Sequence, residues 1–206
     1  MSSPAPLEFK GYAMTDPSAW SDLKIVSFQP KTFGPEDVEL AITHCGVCGS
    51  DLHILNQSWG ESRSGPLIVG HEIVGKVTRV GEKVKGLRPG DRNAVHSDGV
   101  PTQGGFSTGI RAHERFVFPI PDEIESRHAA SMMCGGITVF HPLRANGCGP
   151  GKKVGVIGVG GVGHYAVLFA KAMGAEVYAF TRGTAKADDA RRMGAGHVID
   201  TTTEVS

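Results

Sequence analysis

Cysteine is scarce in this chain, with only Cys45, Cys48, Cys134 and Cys148 among 206 residues. Four cysteines are too few for a disulfide scaffold of this size, so the composition predicts reduced thiols that are available to a metal ion. Long apolar runs are also missing, and the first residues lack the basic and apolar segments of a secretion signal. These absences predict a cytoplasmic protein with no membrane partner.

An excess of charge of either sign is likewise absent, because 21 Lys and Arg residues balance 21 Asp and Glu residues. No net field draws the chain towards nucleic acid, so we expect no nucleic-acid partner. Glycine, in contrast, is abundant, with 29 of 206 residues and no collagen-like period. Together with a hydrophobic share of 40%, this predicts a globular protein with many tight turns and close backbone contacts.

The first part of the chain has the pattern of β-strands. Residues 37–44 alternate with the period of a half-buried strand, with Val38 on one side and Glu39 on the other, and Cys45 is expected to begin the loop that follows. Residues 66–92 and 104–121 are predicted to form further short strands broken by glycine. We therefore predict that residues 1–150 form one domain, a β-barrel followed by a helical segment.

From residue 151 the pattern changes to strands that alternate with helices. A buried strand, a glycine turn, a helix ended by Gly174 and another strand form a βαβ unit. A second helix with Thr184 as its predicted N-cap and a third strand at 196–200 follow. The predicted fold class is thus a β-barrel domain plus an α/β domain, with residues 151–206 forming an incomplete Rossmann (βαβαβ) domain.

The glycine turn of this unit, GVGGVG, matches the dinucleotide-binding fingerprint. Its first glycine would allow the tight turn, the second the close approach of a pyrophosphate, and the third the contact between helix and strand. A packing turn without a ligand is the weaker alternative, because the motif follows an apolar strand and opens a helix. The cofactor-binding residues predicted here are Gly158, Val159, Gly160, Gly161, Val162 and Gly163.

The residues after the second strand of the βαβ unit indicate which dinucleotide binds. NAD-binding proteins carry a carboxylate there, which accepts hydrogen bonds from the ribose hydroxyls. This chain has Thr181 and Arg182 instead, with Lys186 one turn later. A hydroxyl and two cations suit a 2′-phosphate, so NADP is favoured over NAD. The alternative is that both cations are simply solvated.

The stretch CGVCGSDLH, residues 45–53, allows three interpretations: half of a structural zinc site, a redox pair, or part of a catalytic metal site. A structural zinc site needs a second cysteine pair, which is absent. A redox pair is disfavoured because the motif is expected to open a loop rather than a helix. Cys48, His71 and Cys134 instead lie far apart in the sequence, which suits a catalytic site with three protein ligands. Taken alone, His71 is more readily a core residue than a ligand.

Combined, several motifs resemble the zinc-dependent medium-chain alcohol dehydrogenases, and more narrowly the NADP-dependent cinnamyl alcohol dehydrogenase group. These motifs are CGVCGSDLH, GHEIVGKV, GGF, CGGITV, GCGPGKKVGVIGVGGVG and AMGAEV, in this order along the chain. The resemblance implies a GroES-like catalytic domain, a Rossmann domain, one catalytic Zn²⁺ and NADP. It also implies reversible oxidation of primary alcohols to aldehydes, with a small-molecule alcohol or aldehyde as substrate and a homodimer as a possible assembly.

The resemblance further implies roles for individual residues. Cys48, His71 and Cys134 match the family's zinc ligands, and Glu72 matches a glutamate that approaches the zinc when substrate is absent. Asp51 matches the carboxylate that orients a ligating histidine, with a turn residue as the alternative.

The same resemblance implies how the proton moves. Ser50 would receive the proton of a zinc-bound alcohol and pass it through the nicotinamide ribose to His53, while hydride moves to the nicotinamide. Thr138 matches a cofactor contact, and Cys45 is expected to be a buried thiol without a ligand role.

Two departures from the family bear on the function. The lobe with four cysteines that binds a structural zinc is missing, because no cysteine lies between Cys48 and Cys134, so we expect one zinc at most. The chain also ends after the third strand of the Rossmann pattern. We therefore expect a truncated family member of doubtful activity. The alternatives are a non-catalytic remnant that binds zinc or nucleotide, and a zinc-free quinone or enone reductase of the same fold.

Overall fold

A computed structural model describes residues 8–60, 65–84 and 103–203. The chain divides into two compact units, Met1–Ser131 and Met132–Ser206. The boundary thus lies before the predicted one at residues 150 and 151, because the helical residues from Met132 onwards group with the second unit.

The first unit contains two antiparallel sheets of three strands each. One has the order β2-β1-β4 and the other the order β5-β3-β6. The strands are β1 Phe9–Met14, β2 Lys24–Phe28, β3 Asp37–Gly46, β4 Leu67–Ile68, β5 Glu72–Val80 and β6 Gly109–His113. A single bridge between Gly11 and Ser107 also forms. The predicted strands at 37–44, 66–92 and 104–121 are confirmed by β3 to β6, while residues 85–102 lie outside the described ranges.

Two helices belong to this unit, α1 Gly49–Leu55 and α2 Ser126–Ser131, with short 3₁₀ turns at Pro17–Ala19 and Glu114–Phe116. The prediction that Cys45 begins a loop is wrong, because β3 extends through Gly46. The prediction that the CxxC motif opens a loop is also wrong, because α1 begins directly after Cys48.

Glu39 lies on the side of β3 that the alternating pattern assigns away from Val38, yet only 9% of it is exposed. Its carboxylate accepts a hydrogen bond from Arg111 Nε at 2.7 Å and another from Thr78 Oγ1 at 3.2 Å. A charged residue is tolerated inside because a partner of opposite charge is buried with it.

The second unit is built around a parallel sheet with the order β7-β8-β9. Its elements are a π-helical turn Met132–Gly136, α3 Ile137–Ala145, β7 Lys153–Ile157, α4 Gly163–Ala172, β8 Glu176–Thr181, α5 Ala187–Arg192 and β9 His197–Asp200. Small apolar residues of the strands and of α4 form its core, among them Val167, Ala170, Val177 and Ala179.

This order of elements confirms the predicted βαβαβ pattern. Gly174, with a φ of +88°, follows the end of α4 as predicted. The predicted N-cap of α5 is wrong, because the helix begins at Ala187 with Lys186 in the cap position. Thr184 instead accepts a hydrogen bond from Ala187 N through its backbone carbonyl at 2.9 Å. None of the helices in the described part of the chain is long and apolar enough to cross a membrane.

Candidate functional site

The thiol of Cys48 lies at the start of α1, where it forms a reciprocal cap with Asp51. Its Sγ accepts the backbone N–H of Ser50 at 3.5 Å, and its own backbone N–H donates to Asp51 Oδ2 at 3.0 Å. Backbone N–H groups and the positive end of a helix favour a thiolate over a thiol. The local fold therefore prepares Cys48 as a metal ligand.

The carboxylate of Asp51 joins α1 to the segment that carries His71. Only 1% of Asp51 is exposed, and its Oδ1 accepts hydrogen bonds from Gly70 N at 3.0 Å and from His71 Nδ1 at 2.9 Å. A buried carboxylate needs such partners, since an unpaired one is costly to remove from water. These contacts disagree with the turn-residue alternative for Asp51, and they orient the imidazole.

The hydrogen bond to Asp51 determines which nitrogen of His71 can bind a metal. Because Nδ1 donates to Asp51, Nε2 carries the lone pair. Burial by itself lowers the pKa of His71, but the hydrogen bond and the negative charge of Asp51, together with Cys48, raise it above its ordinary value. A more basic imidazole is also a better metal ligand, although it must lose its second proton to bind.

The ligand atoms of Cys48, His71 and Glu72 all lie within 4.8 Å of one another. A thiolate, an imidazole and a carboxylate are the donors that zinc binds in catalytic sites. Glu72 is buried, with 4% exposed, and a Cβ at Gly46 would lie 1.8 Å from its Oε2. Only glycine at position 46 leaves room for this carboxylate, a requirement that the sequence pattern did not reveal.

Cys134 lies in the second unit, at the centre of the π-helical turn Met132–Gly136, and is half-buried. Such turns are rare and are often found at functional sites. Thr138 lies at the exposed start of α3 in the same unit. The ligand role of Cys134 and the cofactor role of Thr138 stay predictions.

Cys45 differs from Cys48 in its surroundings. It pairs with Ile73 inside the sheet, and its Sγ lies 2.9 Å and 2.8 Å from the positions that a Cβ would take at Gly70 and Gly105. Burial, together with the charges of Asp51 and Glu72, raises the pKa of its thiol to about 11, against a smaller lowering by the Glu72 backbone N–H. Such a thiol is a packing group rather than a nucleophile or ligand.

Ser50 and His53 occupy α1 one turn apart and therefore share a face of the helix. Ser50 is half-buried, whereas His53 is exposed in the last turn. The imidazole of His53 forms a hydrogen bond from Nδ1 to Ser58 Oγ at 2.8 Å and stacks on the Trp59 ring. A half-buried hydroxyl followed by an exposed imidazole suits the transfer of a proton to solvent.

The three glycines of the dinucleotide fingerprint have three different geometries. Gly158 has a φ of +86°, which other residues rarely adopt. A Cβ at Gly160 would meet no heavy atom within 4 Å, whereas one at Gly163 would lie 1.9 Å from the Gly158 carbonyl oxygen. These geometries match a tight turn, an open approach for a ligand, and a close contact between helix and strand.

The three residues predicted to bind the 2′-phosphate, at and after the end of β8, differ in their exposure and contacts. Thr181 is 5% exposed, and its hydroxyl donates to Gly183 O at 2.9 Å, so it shapes the turn. Its cofactor role stays a prediction. Arg182 is exposed. Lys186 donates from Nζ to Val159 O at 3.2 Å and so joins α5 to the glycine turn. The interpretation of Lys186 as a merely solvated cation therefore does not hold.

Comparisons with known proteins place these features in a family. Residues 34–122 match the family model of the alcohol dehydrogenase GroES-like domain, and residues 161–206 match that of the zinc-binding dehydrogenases. NADP-dependent alcohol dehydrogenase 6 of Saccharomyces cerevisiae is 42% identical over 97% of this chain and 64% of its own length. NADP-dependent alcohol dehydrogenase C 1 of Mycolicibacterium smegmatis is 38% identical over 89% of this chain and 61% of its own length.

Solved structures agree with this assignment. A cinnamyl alcohol dehydrogenase from Sorghum bicolor superposes with a TM-score of 0.82 and 30% identity, covering 96% of this chain and 66% of that one. The corresponding enzyme from Helicobacter pylori, complexed with NADP(H), gives a TM-score of 0.80 and 31% identity, covering 94% of this chain and 64% of that one. The chain thus spans just under two thirds of the curated relatives described above.

A GroES-like unit followed by a Rossmann-like unit defines a medium-chain dehydrogenase. This chain belongs to the zinc-dependent medium-chain alcohol dehydrogenase family, and the relatives reported above are named NADP-dependent or cinnamyl alcohol dehydrogenases.

Proposed function

We propose that this chain carries the zinc site and the adenosine half of the cofactor site of an NADP-linked alcohol dehydrogenase. Its substrate would be a primary alcohol or the corresponding aldehyde, of the cinnamyl type. The observation that carries the proposal is the contact of the buried Asp51 carboxylate with both Cys48 and His71. The helix cap accounts for the bond to the backbone N–H of Cys48, but it does not require a second bond from the same carboxylate to the imidazole of His71.

Cys48, His71 and Cys134 are the proposed protein ligands, because catalytic zinc sites use three and keep one position open for substrate. Glu72 is the proposed alternative ligand when substrate is absent. Bound there, zinc would supply a Lewis acid that lowers the pKa of an alcohol. The site needs reduced thiols, which supports the proposal of a cytoplasmic location.

The proton would leave through the chain's own residues. Ser50 is proposed to accept the substrate hydroxyl proton and His53 to release it to water. Their positions on one face of α1 support this order, because the serine is half-buried and the histidine exposed.

NADP is proposed to bind at the glycine turn, with its 2′-phosphate beside Arg182 and Lys186 and with Thr138 as a further contact. The open space at Gly160 supports the approach of the pyrophosphate. We expect Arg182→Ala to weaken NADPH binding at least tenfold while NADH binding changes little, because only the first ligand carries the phosphate. Arg192→Ala, at the far end of α5, is the matched control. An equal loss for both ligands would overturn the choice of NADP.

The zinc site is tested by metal content rather than by turnover. We expect one zinc per chain in the purified protein and a thiolate-to-metal absorption band after replacement by cobalt. Cys48→Ser should abolish both signals, while Cys45→Ser, the matched control, should preserve them. Retention of stoichiometric zinc in Cys48→Ser would overturn the assignment, and absence of zinc from the wild type would favour the zinc-free reductase.

Catalysis by this chain is tested separately, by following NADPH oxidation with cinnamaldehyde. We expect a rate that Cys48→Ala abolishes, and a rate that survives this change would contradict a zinc mechanism. Tight zinc and NADPH binding without turnover would identify the chain as a non-catalytic binding remnant.

A further inference from the structure

The residues that follow α1 fold back onto His53. Asn56 ends the helix, and Gln57 has a φ of +58°, the only positive φ of a non-glycine residue in the described ranges. Residues other than glycine rarely adopt this backbone conformation, so contacts with neighbouring residues must stabilise the turn. Ser58 N donates to Asn56 Oδ1 at 3.0 Å, and Gly60 N donates to Gln57 O at 3.1 Å.

This strained turn brings two side chains against one imidazole. Ser58 Oγ lies 2.8 Å from His53 Nδ1, and the Trp59 ring stacks on the imidazole with 4.9 Å between centroids and 19° between planes. Trp59 is 65% exposed, so burial of its own surface does not explain its position. The Ser58 hydroxyl thus restrains the exposed imidazole of His53 at its Nδ1 edge, and the Trp59 ring restrains it on one face.

The hydrogen bonds also favour one tautomer of His53. The Ser58 hydroxyl lies 3.4 Å from the His53 carbonyl oxygen and can donate to it. Its lone pair then accepts from Nδ1–H, which leaves the lone pair of the imidazole on Nε2. A free imidazole in water favours the opposite tautomer, with the proton on Nε2.

We infer that Ser58 and Trp59 are positioning residues that hold His53 with Nδ1 protonated and Nε2 open as the proton-accepting atom. This inference rests on the proposed relay through His53. A proton from the substrate side forms a bond to Nε2 and makes an imidazolium, whose Nδ1–H stays hydrogen-bonded to Ser58 Oγ. The same Nε2 proton then leaves to water, which restores the starting tautomer. Without the Ser58 contact, Nε2 would already carry a proton and could not accept another.

The tautomer is measured directly by two-bond ¹H–¹⁵N correlation spectra of the histidine-labelled chain, with His53→Gln used to assign the signals. The spectra are recorded at a pH of about 8.5, where an ordinary imidazole with a pKa of about 6.5 is neutral. We expect the Nδ1–H form for His53 in the wild type, the Nε2–H form in Ser58→Ala, and recovery of the Nδ1–H form in Ser58→Thr.

Ser18→Ala is the matched control, because this exposed hydroxyl also bonds to a side chain, that of Asp16, without contacting His53. It should leave the His53 spectrum unchanged. An Nε2–H tautomer in the wild type, or an unchanged tautomer in Ser58→Ala, would overturn the positioning role.

The effect of the two positioning residues on proton transfer is measured by enzyme kinetics. Metal content measures the zinc site independently. With turnover present, Ser58→Ala and Trp59→Ala should lower kcat about tenfold and leave KM within a factor of about two, and Trp59→Phe should restore most of the rate. A changed tautomer with unchanged kcat would refute the link to catalysis. If the chain shows no turnover, the spectra still decide the positioning of His53, while metal content decides the zinc site.

Discussion

Asp51 Oδ1 accepts the Nδ1–H of His71 at 2.9 Å, while the other oxygen of the same carboxylate accepts the backbone N–H of Cys48 at 3.0 Å. One buried side chain therefore contacts two proposed zinc ligands, of which Cys48 precedes α1 and His71 precedes β5. A third hydrogen bond, from Gly70 N, completes its coordination.

Asp51→Asn should weaken zinc binding by about 10- to 100-fold, the range found when a group that orients a ligating histidine is changed. The asparagine amide has the same shape as the carboxylate, but one of its two oxygens is replaced by an NH₂ group. Because N–H donors face both oxygens of Asp51, this NH₂ group must face a donor and cannot accept its hydrogen bond. Competition with a chromophoric chelator measures the affinity. Asp22→Asn, at an exposed carboxylate paired with Lys24, should leave the affinity unchanged, and equal affinities for all three proteins would contradict this role of Asp51.

Gly160→Ala and Gly163→Ala should separate ligand binding from stability. The first adds a methyl group to open space and should preserve the melting temperature while weakening NADPH binding. The second would place Cβ 1.9 Å from the Gly158 carbonyl oxygen, and should cost about 3 kcal/mol of unfolding free energy.

Thermal unfolding and NADPH fluorescence titration measure the two effects of these glycine changes. Full NADPH affinity in Gly160→Ala would be evidence that the open side of the turn does not receive the pyrophosphate.

Cys45 should resist alkylation in the folded protein. With a thiol pKa raised to about 11, only about one molecule in a thousand carries the thiolate at pH 8, so labelling by iodoacetamide should be slow and should accelerate about tenfold per pH unit. Mass spectrometry of peptides after timed labelling measures the rate.

The same thiol in urea serves as the control and should react at the rate of an ordinary cysteine. Because the folded state retains this proton up to about pH 11 and the unfolded state loses it near pH 8.5, stability should decline as the pH rises between these values. Fast labelling of Cys45 in the folded chain at pH 8 would contradict its half-buried, protonated state.

Arg111→Ala should destabilise the first unit by about 3 kcal/mol, because it leaves the Glu39 carboxylate buried without its cation. The guanidinium also donates to Lys31 O at 2.7 Å, so a backbone carbonyl loses its donor as well. Arg191→Ala, which breaks an exposed pair with Asp188, should change stability by less than about 0.5 kcal/mol. Urea unfolding measures both, and similar values for the two variants would exclude a stabilising role for the buried pair.

Local patterns predicted much of the fold correctly. The alternation at residues 37–44, the glycine fingerprint and the stop at Gly174 depend on neighbours in the sequence, and they correspond to β3, the turn after β7 and the end of α4. The helix α5 begins later than Thr184 predicts, with Lys186 in the cap position, because the backbone conformation rather than the residue type alone decides where a helix starts.

The amino-acid sequence by itself determined the order of strands and helices through its periodicity, and the combined resemblance of several motifs indicated the family and the residue types that can bind zinc and a dinucleotide. Only the tertiary structure decided that Cys48 rather than Cys45 has the surroundings of a ligand, that Glu39 is buried against Arg111, and that Ser58 holds His53. Contacts between residues on separate strands, or across a strained turn, leave no period in the sequence, so their hydrogen bonds become visible only once the chain is folded.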